Sequence, residues 1–243
     1  MNIKVVLEYD GTGFAGWQSQ SGRRTVEGEL RAALRRLAGH DVDVVAAGRT
    51  DAGAHAKGQV VNFRLDRLRV DRVVGALNAL LPEDVSALRA EVVDDAFHAR
   101  YSARWRRYRY RYLGRRARPA LDRHRCWWLV GELDVASMQR AAAALVGRHD
   151  WTSFCSASEP AGRRTRMMRS AEVASAGAYV EVELVAEGFL RGLARSIAGA
   201  LAEVGLGRRP PGWVGELLAA RDRAQAAKTA PARGLTLVEV IYE

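Results

Sequence analysis

The stretch of sequence that organises this chain is Ala46-Ala47-Gly48-Arg49-Thr50-Asp51-Ala52-Gly53-Ala54-His55. It ends an apolar run, residues 42–47, that is typical of a short strand, and it precedes a second strand-like run at residues 59–63. Loops that join strands are where folds present reactive groups, and glycine permits the tight backbone and the close approach of a ligand there. The stretch therefore predicts a functional loop.

The chemistry of this loop depends on a single acid, Asp51, which has no other acidic residue within seven positions. A pair of carboxylates for general acid and base catalysis is therefore not available locally. One aspartate beside Arg49 suits a nucleophile or an electrostatic anchor, because the arginine favours the ionised carboxylate even where water is excluded. The alternative is an ordinary turn in which Asp51 caps the backbone and Arg49 forms a surface ion pair. The spacing favours neither interpretation.

Length and composition set the broad class. A chain of 243 residues with 48% hydrophobic content can form one large domain or two of ordinary size. Its apolar runs are all shorter than the roughly eighteen residues of a membrane span, and residues 1–6 lead directly into a strand, so we expect no signal peptide. Cys126 and Cys155 lack metal or disulfide spacing, and the histidines are scattered. We expect a cytoplasmic protein that binds no metal.

The net charge of +10 and the isoelectric point near 10.3 predict a polyanionic partner, most simply a nucleic acid. The charge is concentrated between Arg104 and Arg125, where ten arginines accompany one acid, Asp122. Solvated surfaces usually mix both signs, so this segment favours nucleic-acid binding.

Within the basic segment, residues 107–112 read Arg-Tyr-Arg-Tyr-Arg-Tyr. Strict alternation in a strand places the tyrosines on one face and the arginines on the other. We expect Tyr110 and Tyr112 to pack in the core. A tyrosine at the open end of the strand is suited to stack on an unpaired base.

Periodicity along the whole chain predicts an α+β fold made of two helix-backed, largely antiparallel-sheet halves. We assign residues 1–96 to an N-terminal half with the Asp51 loop and residues 97–243 to a C-terminal half. A mobile loop is predicted at residues 156–166. The predicted strands are 3–9, 42–47, 59–63, 85–92, 107–112, 126–130, 179–186 and 237–241, and the predicted helices are 26–38, 70–81, 134–146, 189–204 and 213–220.

The helix predicted at residues 189–204 carries Arg191 and Arg195, four positions apart and so on one face. An arginine on so apolar a helix is costly to bury without an anion, and Asp51 is a natural partner for a buried Arg195. The alternative is a solvated arginine whose charged end reaches water.

Six motifs, in order over residues 3–241, resemble the tRNA pseudouridine synthase A family. The most specific is the Gly-Arg-Thr-Asp motif of the opening stretch. The six are Asp10-Gly-Thr-Gly-Phe-Ala-Gly-Trp-Gln, Ala47-Gly-Arg-Thr-Asp-Ala-Gly-Ala-His55, Phe97-His-Ala-Arg100, Arg107-Tyr-Arg-Tyr110, Phe189-Leu-Arg-Gly-Leu-Ala-Arg195 and Gly234-Leu-Thr-Leu237.

The resemblance implies a pseudouridine synthase-like fold, with ferredoxin- or RRM-like halves and an active site in the cleft between them. It implies a homodimer, without cofactor or catalytic metal, that isomerises uridines at tRNA positions 38 to 40 in the anticodon stem-loop. The roles that it implies are Asp51 as the nucleophile, Tyr108 stacking on the target base, Arg195 pairing with Asp51, Arg49 displacing or holding the flipped nucleotide, Leu235 packing against the site, and Arg107 binding substrate beside Tyr108.

Two other functions remain open from the residues alone. A non-catalytic RNA-binding protein with RRM-like sheets would explain the charge and the tyrosines, but it would not explain the loop of Arg49 and Asp51. A base deaminase would need a zinc ligand set that the sequence lacks.

Overall fold

The computed structural model describes residues 1–66 and 68–243, and within them the chain forms five α-helices and ten strands. The helices are α1 (Val26–Ala38), α2 (Val70–Asn78), α3 (Val135–Ala143), α4 (Leu193–Gly205) and α5 (Trp213–Ala220). The strands are β1 (Asn2–Tyr9), β2 (Val45–Ala46), β3 (His55–Arg64), β4 (Val85–Val93), β5 (Trp105–Gly114), β6 (Trp127–Leu129), β7 (Gly147–Asp150), β8 (Thr165–Ala176), β9 (Tyr179–Ala186) and β10 (Leu235–Ile241).

The chain divides into two compact units. The first comprises Met1–Arg104 together with Thr236–Glu243, and the second comprises Trp105–Leu235. Most of β10 therefore belongs to the first unit, because it runs parallel to β3 with Thr236 paired to His55. The domain boundary that we predict after residue 96 stays a prediction.

The first unit is built on strands in the order β4-β1-β3-β10, with β2 on β3. β1 is antiparallel to both of its neighbours, and its residues Ile3, Val5 and Leu7 are fully buried. α2 packs on β4, and α1 packs on α2. These residues alternate along β1, so one face of the strand supplies the core of this unit.

The first helix has the ends that its sequence predicts. Thr25 caps α1, since its hydroxyl accepts a hydrogen bond from the backbone N–H of Gly28 at 3.2 Å. Gly39 ends the helix with a φ of 79°, a left-handed conformation that favours glycine.

The second unit has the strand order β5-β9-β8-β7, with β6 parallel to β5. α3 contacts β8, α4 and α5, and α4 contacts β5. Trp151, Phe154 and Met138 are fully buried in its core. α4 also approaches residues 228–230 closely, because a Cβ at Gly199 would overlap the backbone oxygen of Lys228.

The α+β class is confirmed, and the strand pairs are largely antiparallel. The structure differs from the prediction at several elements, because β3 begins at His55 rather than at residue 59 and α2 ends at Asn78 rather than at residue 81. Three larger differences follow. β2 is only two residues long, whereas a strand over residues 42–47 was predicted. β7 and β8 were missed; β8 alternates poorly because most of its side chains are at least partly exposed. The helix predicted from residue 189 begins at Leu193, because Gly192 adopts a φ of 79°.

Across residues 1–66 and 68–243, no helix is both long and apolar enough to cross a membrane.

Candidate active site

The loop that carries Asp51 is anchored where it joins β3. The backbone N–H of Ala47 donates to the carbonyl of Val60 at 2.8 Å. Gln59, whose side chain is fully buried, donates from Nε2 to the carbonyl of Gly48 at 2.8 Å. A buried amide that makes such a bond is costly to displace, so the loop enters at a fixed position.

The residues on either side of Asp51 are also held. The hydroxyl of Thr50 is 2.8 Å from that of Tyr9, and the Thr50 carbonyl accepts from the N–H of Trp17 at 3.0 Å. The Asp51 carbonyl accepts from the N–H of Ala54 at 3.0 Å, which closes a turn through Gly53 with a φ of 80°. The backbone of Asp51 is thereby fixed while its side chain remains half-buried and Arg49 is exposed.

A second loop, residues 10–18, packs directly against the Asp51 loop. The N–H of Gly11 donates to Nδ1 of His55 at 3.1 Å, and the N–H of Gly53 donates to the carbonyl of Phe14 at 3.3 Å. A Cβ at Gly11 would overlap the carbonyl of Ala54, and one at Gly16 would lie 2.8 Å from the carbonyl of Thr50. The two glycine-containing motifs therefore form one structure.

Glu27 ties residues 18 and 19 to α1. This carboxylate is 5% exposed and accepts hydrogen bonds from the N–H of Ser19 at 2.8 Å and from Nε2 of Gln18 at 2.9 Å. It also pairs with Arg31 at 3.1 Å. Burial of this charge is therefore offset by three partners.

Sequence reasoning found the loop of Asp51 but missed the residues that support it, which include Gln59, Tyr9 and Glu27. The partners of all three side chains lie elsewhere in the sequence, so no local pattern indicated them.

The tyrosines of β5 take different roles. Tyr110 donates its hydroxyl to the carbonyl of Pro231 at 2.8 Å, and Tyr112 donates to that of Ala198 at 2.7 Å. Burial raises the pKa of both phenols, so they remain neutral donors. Their predicted place in the core is confirmed.

Tyr108 is 6% exposed and meets Phe189 edge-on with ring centroids 4.6 Å apart.

The arginine face of β5 is less positive than its sequence predicts. Arg109 lies 2.7 Å from Glu183, and Arg111 lies 2.7 Å from Glu181, both acids being on the neighbouring β9. The charges of these two arginines are therefore neutralised within the fold, by acids that are distant in sequence. Arg107, half-buried, is paired in register with Val185. The exposed arginines that follow β5 are Arg115, Arg116, Arg118, Arg123 and Arg125.

Arg195 lies on the first turn of α4 and is half-buried. Its Nε donates to the carbonyl of Ala230 at 2.8 Å, and the N–H of Ala230 donates back to the carbonyl of Arg195 at 3.0 Å. Arg191 is exposed and precedes the helix, so the prediction that both arginines share one helical face was wrong. Gly192 is the reason, since its left-handed backbone separates them.

Leu235 is 6% exposed and begins β10. It follows Gly234, where a Cβ would lie 2.6 Å from the ring of Tyr110. Leu235 is thus placed by the segment that packs on β5 of the second unit. Arg195 lies on α4 of the same unit. Tyr108 and Arg107 lie on β5 itself, whereas Arg49 and Asp51 share the loop of the first unit.

No group of three or more His, Cys, Asp or Glu side chains in the described part of the chain is placed to hold a metal ion. The chemistry that the Asp51 loop offers is that of one carboxylate on a rigid support, with an arginine two positions away.

Comparison with known proteins shows similarity along the whole chain. A sequence model of the family described as tRNA pseudouridine synthase matches residues 5–102 and 141–243. A tRNA pseudouridine synthase A of Moorella thermoacetica is 45% identical over 243 residues, covering 99% of this chain and 99% of the relative. That of Methylococcus capsulatus is 46% identical over 244 residues, covering 100% of this chain and 90% of the relative. The matched segments include both the Asp51 loop and α4.

The contact between the two glycine loops generates a testable prediction. Gly16 has a φ of 98° and a Cβ there would lie 2.8 Å from Thr50, whereas Gly22 has a φ of 68° and a Cβ there meets no described atom within 4 Å. Gly22→Ala should cost about 1–2 kcal/mol of backbone strain. Gly16→Ala should cost about 2–5 kcal/mol, because overpacking adds to the strain.

Urea unfolding measures the free energies of both variants, and amide chemical shifts report on the loop. Gly16→Ala should move the amide resonances of residues 50–52, and Gly22→Ala should leave them in place. Equal destabilisation with unmoved resonances would contradict the close packing of the loops.

Proposed function

Because this chain belongs to the tRNA pseudouridine synthase family, we propose that it isomerises uridines at positions 38 to 40 of the tRNA anticodon stem-loop, with Asp51 as its nucleophile. The chain is an isomerase that modifies tRNA. The alternative of a non-catalytic RNA-binding protein is set aside by this membership. The observation that carries the proposal for Asp51 is the rigid support of its loop, which presents one carboxylate from a backbone fixed on both sides.

The reaction requires no net gain or loss of atoms. The bond between N1 of the uracil and C1′ of the ribose breaks, the base rotates, and a bond between C5 and C1′ forms. C5 loses a proton and N1 gains one, so neither water nor a redox partner is consumed. A second carboxylate, which a glycosidase needs to activate water, has no task here.

Asp51 would act by forming a covalent adduct with the ribose or with the base, or by promoting cleavage of the glycosidic bond. A uridine in a stem or stacked loop must leave its stack before a carboxylate can reach it, at a cost of a few kcal/mol. Reacting atoms must then be held within about 3–3.5 Å and aligned. The fixed backbone of the Asp51 loop supports this proposal. A mobile carboxylate would lose conformational entropy each time it was aligned with the substrate, and a carboxylate that is already held loses less.

Tyr108 is proposed to stack on the displaced uracil, with Arg107 beside it binding the substrate and Leu235 packing against the base. Tyr110 and Tyr112 donate their hydroxyls to core carbonyls, so both are used by the fold. Tyr108 is the tyrosine nearest the start of β5. Its edge contact with Phe189 holds the ring. An aromatic ring that is already held loses little freedom when a base stacks on it.

Arg195 is proposed to pair with Asp51, and Arg49 to displace or hold the flipped nucleotide. The bond from Nε of Arg195 to Ala230 orients its planar guanidinium group, and a carboxylate suits the remaining donors of such a group. A carboxylate partner would also offset the cost of half-burying this charge. Arg49 is exposed on the same loop as Asp51, as a residue that meets the substrate backbone should be.

The exposed arginines after β5 are proposed to bind tRNA phosphates, because phosphate contacts supply most of the affinity for a nucleic acid. We also propose a homodimer that acts in the cytoplasm without a cofactor. The net charge of +10 supports the phosphate contacts, and the resemblance of the motifs implies the homodimer and the absence of a cofactor.

The proposed target positions can be tested with unmodified tRNA transcripts. Transcripts with uridine at positions 38, 39 or 40 should gain pseudouridine there when incubated with the purified protein. Matched transcripts with cytidine at all three positions should gain none. Chemical mapping of pseudouridine in both sets makes the comparison, and modification at other positions only would contradict the anticodon assignment.

The pairing of Arg195 with Asp51 predicts a split between catalysis and binding. Loss of one positioned electrostatic group in an active site lowers kcat by about 10²–10³, so we expect Arg195→Met to lower kcat roughly 100- to 1,000-fold. The KM for tRNA should change little. Arg191→Met is the matched control, because Arg191 is exposed and lies outside α4.

Steady-state kinetics on both variants, together with their melting temperatures, test this pairing. Equal and small effects of the two substitutions on kcat, or a loss at Arg195 that follows melting temperature alone, would show that Arg195 serves only to hold Ala230.

A further inference from the structure

Tyr101 is an aromatic side chain that the proposed active site does not use. It is 76% exposed, and of the exposed large apolar side chains in the described residues it alone is aromatic. A single exposed apolar side chain is ordinary on a protein surface, so the inference depends on what surrounds the Tyr101 ring and on how rigidly it is held.

Two neighbouring side chains lie against the ring of Tyr101. The ring of His98 is 4.3 Å away between centroids and is tilted by 30°. The guanidinium carbon of Arg100 lies 5.6 Å from the centre of the Tyr101 ring. An aromatic pair with an adjacent cation is suited to bind a nucleic-acid base, because a ring can stack on the base and the cation attracts the phosphate.

The turn that carries these side chains is closed on itself. Nδ1 of His98 accepts from the N–H groups of Arg100 and Tyr101, each at 3.2 Å. The N–H of His98 donates to the hydroxyl of Ser102 at 3.0 Å, and the N–H of Ser102 donates to the His98 carbonyl at 2.9 Å. The imidazole is therefore oriented by the backbone beneath it.

The turn is also fixed to the core of the first unit. The buried amide of Asn62 accepts from the N–H of Ala99 at 2.8 Å and donates to the Asn2 side chain at 3.0 Å. Tyr242 donates its hydroxyl to the carbonyl of Ala99 at 2.8 Å. An exposed ring on so rigid a base is preorganised, so little conformational entropy is lost when a flat ligand stacks on it.

We propose that Tyr101 and His98 form a stacking platform for an unpaired base of the bound tRNA, separate from the uridine that Asp51 modifies, with Arg100 attracting the adjacent phosphate. This inference rests on the proposed function only in taking tRNA as the ligand. Stacking accepts any base, so the platform contributes affinity and orientation rather than sequence choice.

The test compares substitutions that remove the ring with ones that keep it. Tyr101→Ala and Tyr101→Leu should each raise the KM for tRNA roughly 5- to 150-fold, the range expected for one lost base stack, with kcat at saturating tRNA unchanged. Tyr101→Phe and Tyr101→Trp should stay within about threefold of the wild type. Leu88→Ala, which trims another exposed side chain of the first unit, is the control and should have no effect.

Three results would overturn the platform. A wild-type KM for Tyr101→Ala would show that the ring meets no RNA, and wild-type behaviour of Tyr101→Leu alone would show that only apolar bulk matters. If light scattering showed that Tyr101→Ala has a different oligomeric state from the wild type, a second copy of the chain would cover Tyr101 instead. Failure of the proposed function is distinguishable, because the wild type itself would then form no pseudouridine at positions 38 to 40.

Discussion

The close approach of the loop at residues 10–18 to the loop of Asp51 is the constraint on which the rest of the site depends. Gly11 and Gly16 lie so near the carbonyls of Ala54 and Thr50 that neither position has room for a Cβ. Backbone hydrogen bonds from Trp17 and Gly53 then hold the loops together. The backbone that carries the Asp51 carboxylate is therefore held between two packed loops.

The arginines of this chain fall into two groups, those held by partners within the fold and those exposed to solvent. Arg109 and Arg111 are neutralised by acids of β9, and Arg195 is oriented by the carbonyl of Ala230. The arginines that follow β5 are exposed, so phosphates can reach them. The arginines of β5 therefore contribute less positive surface than the net charge of +10 suggests. The segment after β5 contributes more, because its arginines are exposed.

Local signals in the sequence predicted α1 and the burial of Tyr110, because Thr25, Gly39 and strict alternation act over a few residues. β8 was missed because it is mostly exposed, and a periodic pattern needs a buried face. The partners of Arg109 and the support that Gln59 gives Gly48 depend on strands that meet only in the folded chain. The resemblance of the motifs identified Asp51 as the candidate nucleophile, whereas the need for nearby glycines follows from backbone contacts that form only in the folded chain.

The most direct test of the central claim, that Asp51 is the nucleophile, is tritium release from tRNA labelled at C5 of uracil. The reaction is run for a single turnover, with Asp51→Asn in excess and at a concentration where tRNA binding is shown to be complete. Asparagine keeps the size of aspartate but lacks its charge and nucleophilicity. We expect Asp51→Asn to bind tRNA like the wild type and to release no tritium above the enzyme-free background. Release by Asp51→Asn at the wild-type rate would contradict the assignment of Asp51 as the nucleophile.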